Sequence, residues 1–202
     1  MFINSGLNNT ANVNRIVQKV NNRINILDKV IKYTGIKTRK ILYDSLILSV
    51  FNYCIEVNMS NNYYQNNKLY VLLNKCAHRV LGFQSYKMNT VTILNKLNWL
   101  SFQQMVISGS LKTIHKMIFA KEPRALTQYL YNNGIRDRVG KNIAISRPYN
   151  TLKTKNCFLH RALHIYNTLK KDLTNLEPKI FNHKIKDYVK KNYPLNNIPK
   201  IP

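Results

Sequence analysis

Acidic side chains are nearly missing from this sequence. Eight aspartates and glutamates stand against 32 lysines and arginines, and the 65 residues from Val57 to Lys121 contain no acid while carrying eight bases. Chemistry built on carboxylates needs several of them brought together, to hold divalent cations or to exchange protons, and this chain has few to bring. No DD, DxD or YxDD-type segment occurs, and Asp28, Asp44, Asp137, Asp172 and Asp187 sit in unrelated contexts. No catalytic residue is therefore assigned. Glycine and proline are also scarce, six of each, which argues against a glycine-rich phosphate loop, a Rossmann-type fold or a loop-rich β-protein. The three cysteines, Cys54, Cys76 and Cys157, lie far apart with no CxxC pair, so neither a disulfide scaffold nor a zinc knuckle is expected, and the thiols read as buried. His115, His164 and His183 lie in no cluster of cysteines and acids, and no metal or cofactor is expected. The opening MFINSGLNNT has neither a basic leader nor an apolar core, and no run of about 18 apolar residues follows. The expected protein is soluble and intracellular, without a membrane partner.

What is abundant is positive charge and helix-forming apolar residues. A formal charge of +24 and a pI near 10.1 point to a polyanion, RNA, DNA or an RNA·DNA hybrid, as partner. Hydrophobic residues make up 45 % of the chain, enough for a packed core. Asparagine accounts for about one residue in seven. With lysine, isoleucine and tyrosine also frequent, that bias reads as an AT-rich coding sequence, without functional weight.

Periodicity predicts an all-α or mainly α chain: a compact helical bundle with a basic loop or small hairpin between about 132 and 156. Val13, Ile16, Val20, Ile24, Leu27 and Ile31 recur at three and four residues and form one stripe of a first helix, Val13 to Tyr33. Thr38 to Tyr53 is apolar on most sides and is expected to be the central, most buried helix. Lys68 to Leu81 buries Leu69, Leu72, Leu73, Cys76, Ala77 and Val80, with Gly82 placed to end it. A short helix at Thr90 to Leu97 precedes a turn at Trp99, and Ser101 is placed to cap the next helix, Phe102 to Phe119. Ala125 to Tyr131 reads as a short helix, with strand-like pieces at Asn142 to Ile145 and Tyr149 to Leu152. Helical patterns return at Phe158 to Leu169 and from Pro178 onward.

Several residues are candidates for contact with phosphates. Lys75 and Arg79 stand four apart and project together from a helix. Arg136, Arg138 and Arg147 lie in the weakly patterned basic stretch, Arg161 follows His160 on a helix, and Lys184 and Lys186 lie on the last helix. Tyr63, Tyr64 and Tyr86, in polar connections near bases, are candidates for stacking on unpaired bases or for anchoring loops. Tyr53, Trp99 and Tyr166 read as structural aromatics.

Taken in order, certain segments form a pattern. They are Leu42-Tyr43-Asp44-Ser45 with Phe51-Asn52-Tyr53-Cys54, then Lys68-Leu69 with Asn74-Lys75-Cys76-Ala77-His78-Arg79 and Gly82, then Leu97-Asn98-Trp99-Leu100-Ser101-Phe102-Gln103-Gln104. Lys116-Met117-Ile118 through Pro123 to Tyr129-Leu130 follows, with bases at Arg136 and Arg138, then Phe158 to Leu169 around Arg161-Ala162-Leu163, and last Phe181, Lys184, Ile185, Lys186 and Tyr188. This succession resembles the region that follows the catalytic palm in reverse transcriptases of non-LTR retrotransposons, the LINE-like, jockey-type elements. The resemblance runs from about Val13 to Val189. Tyr166 stands where tryptophan is common, Met105 where arginine is usual, Asn58 where tryptophan often follows, and Lys170 where proline is usual.

The resemblance implies a helical thumb-like region over 1–122 and a C-terminal helical region with a basic loop over 123–202. It also implies a chain that begins downstream of the palm, without fingers or catalytic aspartates, and that helps hold template and primer. Three readings follow: a non-catalytic nucleic-acid-binding fragment; a protein-interaction module or inactive mobile-element remnant; and an accessory part of a reverse transcriptase completed by a separate palm polypeptide.

Overall fold

A computed structural model describes residues 9–60, 63–85, 87–127, 130–132, 143–145 and 158–193, and they are mainly helical, as the periodicity predicts. Ten α-helices are formed among them: α1 (Thr10–Ile31), α2 (Ile36–Tyr43), α3 (Ser49–Asn52), α4 (Tyr63–Leu81), α5 (Thr90–Leu97), α6 (Phe102–Phe119), α7 (Arg124–Thr127), α8 (Phe158–Asn167), α9 (Lys171–Thr174) and α10 (Pro178–Asn192). A π-helical turn, Asp44–Leu48, joins α2 to α3, and short 3-10 turns occupy Ile55–Ser60 and Gly82–Ser85. Two three-residue strands, β1 (Leu130–Asn132) and β2 (Ile143–Ile145), pair antiparallel, Tyr131 opposite Ala144. Packing divides the chain into two units, Met1–Met105 and Val106–Pro202, the division falling within α6. The sequence-based boundary at 122/123 lies just beyond that helix.

In the first unit the apolar stripe of α1 is buried as its spacing requires: Val13, Ile16, Val20, Ile24 and Leu27 are all covered. Each such side chain withdrawn from water contributes about 1.5–3 kcal/mol. They pack with α4, whose Leu69, Leu72, Leu73, Cys76, Ala77 and Val80 form the opposing face. Gln65 on α4 donates to the Thr10 hydroxyl at 2.8 Å, tying the starts of the two helices. Helix α4 begins at Tyr63, earlier than the apolar pattern suggests, because its first turn carries no apolar stripe: Tyr63 and Tyr64 are exposed and Gln65 is buried.

The segment expected to be one central helix, Thr38 to Tyr53, is instead α2, the π turn and α3. Only Tyr43, Ile47, Val50 and Phe51 of it are fully buried, while Ile41 is 67 % exposed. A wide turn inserted into the hydrogen-bond ladder shifts the faces that follow, which a count of apolar residues does not register. The most continuously buried helix is α6, where Phe102, Met105, Val106, Ile107, Leu111, Ile114 and Met117 are covered together with Gln104, Ser108, Ser110 and His115. No charged residue occurs between Phe102 and Leu111, so every face of that stretch tolerates burial.

The start of α6 is closed as Ser101 predicts. The Gln104 amide donates to the Ser101 hydroxyl at 3.2 Å and the Ser101 amide donates to Gln104 Oε1 at 2.9 Å, a reciprocal cap. Upstream, Asn98 adopts a left-handed conformation, φ 55°, and the Trp99 amide donates to Leu94 O at 2.8 Å, which ends α5. The buried Trp99 indole donates to Asp44 Oδ1 at 2.7 Å, and Asp44 Oδ2 receives the Lys40 ammonium at 2.6 Å.

Two expectations fail at the end of α3. Tyr53, read as structural, is 74 % exposed, and Cys54 is exposed, because α3 stops at Asn52 and the chain turns outward through Cys54 at φ 49°. The buried tyrosine of this segment is Tyr43, whose hydroxyl is pushed upward in pKa by burial. Cys76 is buried as expected, its thiol pushed up to about 12 by desolvation. Cys157 lies outside the described residues.

The second unit is organised around His115. Its ring is 1 % exposed and stacks on Phe181 of α10, with centroids 3.8 Å apart and planes 12° from parallel. Nε2 lies 2.9 Å from Leu176 O, and a carbonyl only accepts, so Nε2 carries the proton. Nδ1, 2.9 Å from the Tyr166 hydroxyl, then accepts from it. Tyr166 is thus a buried structural aromatic, its hydroxyl pushed up to about 12 by burial. Ala162, Leu163 and Ile165 of α8 and Ile185 and Val189 of α10 complete the described core. Ala125 to Tyr131, read as one helix, is divided between α7 and β1. Tyr149 to Leu152 lies outside the described residues.

Desolvation lowers the pKa of His115, so its neutral form is the folded one. As pH falls below the ordinary histidine value, about 6.5, the unfolded chain binds a proton that this site resists, and folding stability declines with acidity. Urea unfolding followed by circular dichroism from pH 7.5 to 5.5 is expected to show that decline, with a shallower slope for His115→Gln. Tyr166→Phe, which leaves Nδ1 without its donor, is expected to cost about 1–3 kcal/mol at neutral pH.

Candidate nucleic-acid interface

The first unit contains a cleft of about 770 Å³ where the end of α1, the start of α2 and the end of α4 meet. Ile31, Lys32, Arg39, Lys75, His78, Arg79, Gly82 and Ser85 line it. Four of the eight lining residues are lysine or arginine, and no acid is among them.

Local chemistry explains why these cations converge. Helix α1 ends at Ile31 and the chain reverses through Tyr33 to Gly35, with the Tyr33 and Thr34 amides donating to Val30 O and Ile31 O at 3.1 Å each. Arg39, one turn into α2, donates from Nε to Thr34 O at 2.8 Å, which fixes its guanidinium across that reversal. Helix α4 ends as Gly82 enters the left-handed region, φ 59°. A Cβ there would lie 3.0 Å from Arg39 Nη1, so glycine permits both the turn and the close approach of the arginine. The neighbouring Ser85 hydroxyl donates to Gly82 O at 2.7 Å.

Lys75 and Arg79, paired by spacing, have different roles. Lys75 is exposed on α4. Arg79 forms a bidentate pair with Asp28 on α1, Nε to Oδ1 at 3.1 Å and Nη2 to Oδ2 at 3.0 Å. The side chains are 32 % and 39 % exposed, so the pair contributes at most about 1 kcal/mol and serves chiefly to set the angle of α4 on α1. The hydrogen bonds to Asp28 raise the pKa of Arg79. Beneath them, Cys76 remains a neutral thiol.

The other candidates are dispersed. Arg161 is half-buried on α8, while Lys184 is exposed and Lys186 half-exposed on α10; all three belong to the second unit. Arg136, Arg138, Arg147 and Tyr86 lie outside the described residues. Tyr63 and Tyr64 are 82 % and 65 % exposed on the first turn of α4, so neither ring anchors a loop into the core. Lys68 places its ammonium 4.9 Å from the centre of the Tyr64 ring. Lys32 and Arg39 join the cleft although no helical spacing pairs them with Lys75 and Arg79. A Gly35 turn flanked by Lys32 on one side and Lys37, Arg39 and Lys40 on the other was the available signal.

Among the described residues, no group of three or more His, Cys, Asp or Glu could hold a metal ion, and no helix is long and apolar enough to cross a membrane. Three of the acids are paired within the chain: Asp28 with Arg79 of the cleft, Asp44 with Lys40 and Trp99, and Glu122 with Lys116 at 3.0 Å.

The dihedral at Gly82, rather than the contact with the flexible end of Arg39, should dominate the cost of substitution there. Gly82→Ala is expected to lose about 1–2 kcal/mol in urea unfolding, and Gly82→Asn less, because asparagine visits the left-handed region more readily. Equal losses would place the cost in the contact instead.

Compared with known proteins, the chain matches no family model, no curated protein and no solved structure.

Proposed function

We propose that this chain is a nucleic-acid-binding module, non-catalytic on its own, that grips the phosphate backbone of RNA, DNA or an RNA·DNA hybrid by shape and charge. In the same reading it corresponds to the thumb and C-terminal portion of a LINE-like reverse transcriptase, intracellular and able to work beside a separate palm polypeptide. The observation that carries the proposal is the convergence of Lys32, Arg39, Lys75, His78 and Arg79 on one cleft in a chain with a net charge of +24. Lysines at its rim supply mobile counter-charges, while Arg39, held by Thr34 O, supplies a fixed donor for a phosphate oxygen. The succession of segments from Leu42 to Tyr188 supports the polymerase relationship. A basic loop or small hairpin over 132–156, carrying Arg136, Arg138 and Arg147, extends the cationic surface in this reading. The antiparallel pairing of β1 with β2 supports a hairpin there.

Fluorescence anisotropy with double-stranded DNA, an RNA·DNA hybrid and single-stranded RNA over a salt series tests the reading. The logarithm of the binding constant is expected to fall linearly with the logarithm of salt concentration. Replacing Lys32 and Lys75 together by alanine is expected to weaken binding similarly for unrelated sequences and to reduce the slope by about 2. These two are preferred to Arg79, whose loss would also release Asp28. Unchanged affinity and slope in the double variant would remove the cleft from the interface, and no binding to any polynucleotide at low salt would end the proposal.

A further inference from the structure

A second groove in the first unit runs beside α1. Asn12, Arg15, Lys19, Arg23, Ser49 and Tyr53 line it, and its volume is about 390 Å³. Arg15, Lys19 and Arg23 follow at four-residue steps on one helix, so they rise about 6 Å apart along one face. That step is of the order of the distance between neighbouring phosphates in an extended strand.

The two ends of the row differ. Arg15 and Lys19 are exposed. Arg23 is anchored, its Nη1 donating to Leu46 O and reaching the Ser49 hydroxyl at 3.4 Å, which holds α1 against the π turn and α3. Tyr53 stands at the end of α3 with its ring 74 % exposed. Its backbone is nonetheless fixed: the Tyr53 amide donates to Ser49 O at 3.2 Å, and the Val57 amide donates to Cys54 O at 3.2 Å just beyond. The result is an aromatic face on a held backbone beside a row of cations, with no acid lining the groove. Core packing gains little from a ring so exposed.

Cations that follow a backbone together with an aromatic platform are what proteins use to bind unpaired strands. A duplex keeps its bases stacked inside and could offer this groove only its phosphates. An unpaired strand can lay phosphates along α1 and place a base on the tyrosine. We propose that this groove binds single-stranded nucleic acid, with Arg15 and Lys19 against successive phosphates and the Tyr53 ring beneath an unpaired base. The proposal rests on the nucleic-acid-binding reading but not on the cleft at Arg39.

The test uses the full chain with oligo(dT) and oligo(U), each carrying one 2-aminopurine, and a duplex as control. Stacking on tyrosine is indifferent to the sugar, so both single strands are expected to bind and to lose 2-aminopurine fluorescence on binding. Tyr53→Ala is expected to weaken both by about 5- to 100-fold and to abolish the quenching, leaving duplex affinity unchanged, whereas Tyr53→Phe behaves as wild type. Lys19→Ala is expected to flatten the single-strand salt slope by about 1. If Tyr53→Ala keeps its single-strand affinity and quenching while the wild type still binds duplex, the groove is overturned and the general reading stands. An equal loss on duplex and single strand also overturns it. Failure of the wild type to bind any of the three polymers removes both.

Discussion

The constraint on which this structure depends is its charge imbalance. Thirty-two bases against eight acids leave most cations without an internal counter-charge, and their mutual repulsion opposes folding. Apolar burial must therefore carry the cohesion, and it does so through helices whose buried faces are almost free of charge: the α1 stripe, the Leu69 to Val80 face of α4, and the whole of α6 from Phe102 to Leu111. Two of the acids each accept from two donors. Asp28 fixes α4 on α1 through both Arg79 donors, and Asp44 holds the Trp99 indole with one oxygen and Lys40 with the other. The cleft and the groove are places in the first unit where several bases gather.

Much of the scaffold is legible in the sequence because it depends on local rules. The five buried residues of α1 are those its spacing selects, Ser101 caps α6 as its place before that helix announces, and Gly82 ends α4 in the left-handed conformation that glycine tolerates. Trp99 is pinned at the joint between α5 and α6 as an aromatic there should be, but its partner, Asp44, lies 55 positions away and could not be named beforehand. His115, Tyr166 and Phe181 are the same case in the second unit. Each is visible as a helical residue, yet a stack and two hydrogen bonds joining three distant segments follow from packing, which periodicity does not encode.

Misreadings cluster where the backbone departs from regular helix. The π turn at Asp44–Leu48 breaks what the apolar count presents as one central helix and moves the burial maximum to α6. Immediately after α3, the left-handed Cys54 turns Tyr53 outward. Both departures fall along the α1 groove, so the feature hardest to read from the sequence is also the one that exposes an aromatic beside a row of cations. The cleft behaves similarly. Lys75 stands out by spacing, whereas Arg39 and Lys32 join it only because the Gly35 reversal folds α2 back toward the end of α4.

Arginine and lysine divide the labour within the first unit. Arg23 is bound to Leu46 O and Ser49, Arg39 to Thr34 O, and Arg79 to Asp28, so each planar guanidinium braces one element against another while remaining charged. Lys19, Lys32 and Lys75 stand exposed nearby. A guanidinium has donors to share between a carbonyl and a phosphate, and an ammonium on a flexible stem can follow a moving strand. In the proposed reading, fixed arginines set where a backbone lies and lysines adapt to it, an arrangement suited to reading shape and charge. Sequence recognition would need polar groups aimed at base edges. In the proposed reading, discrimination between ligands falls to backbone geometry and to whether a base is free to leave its stack.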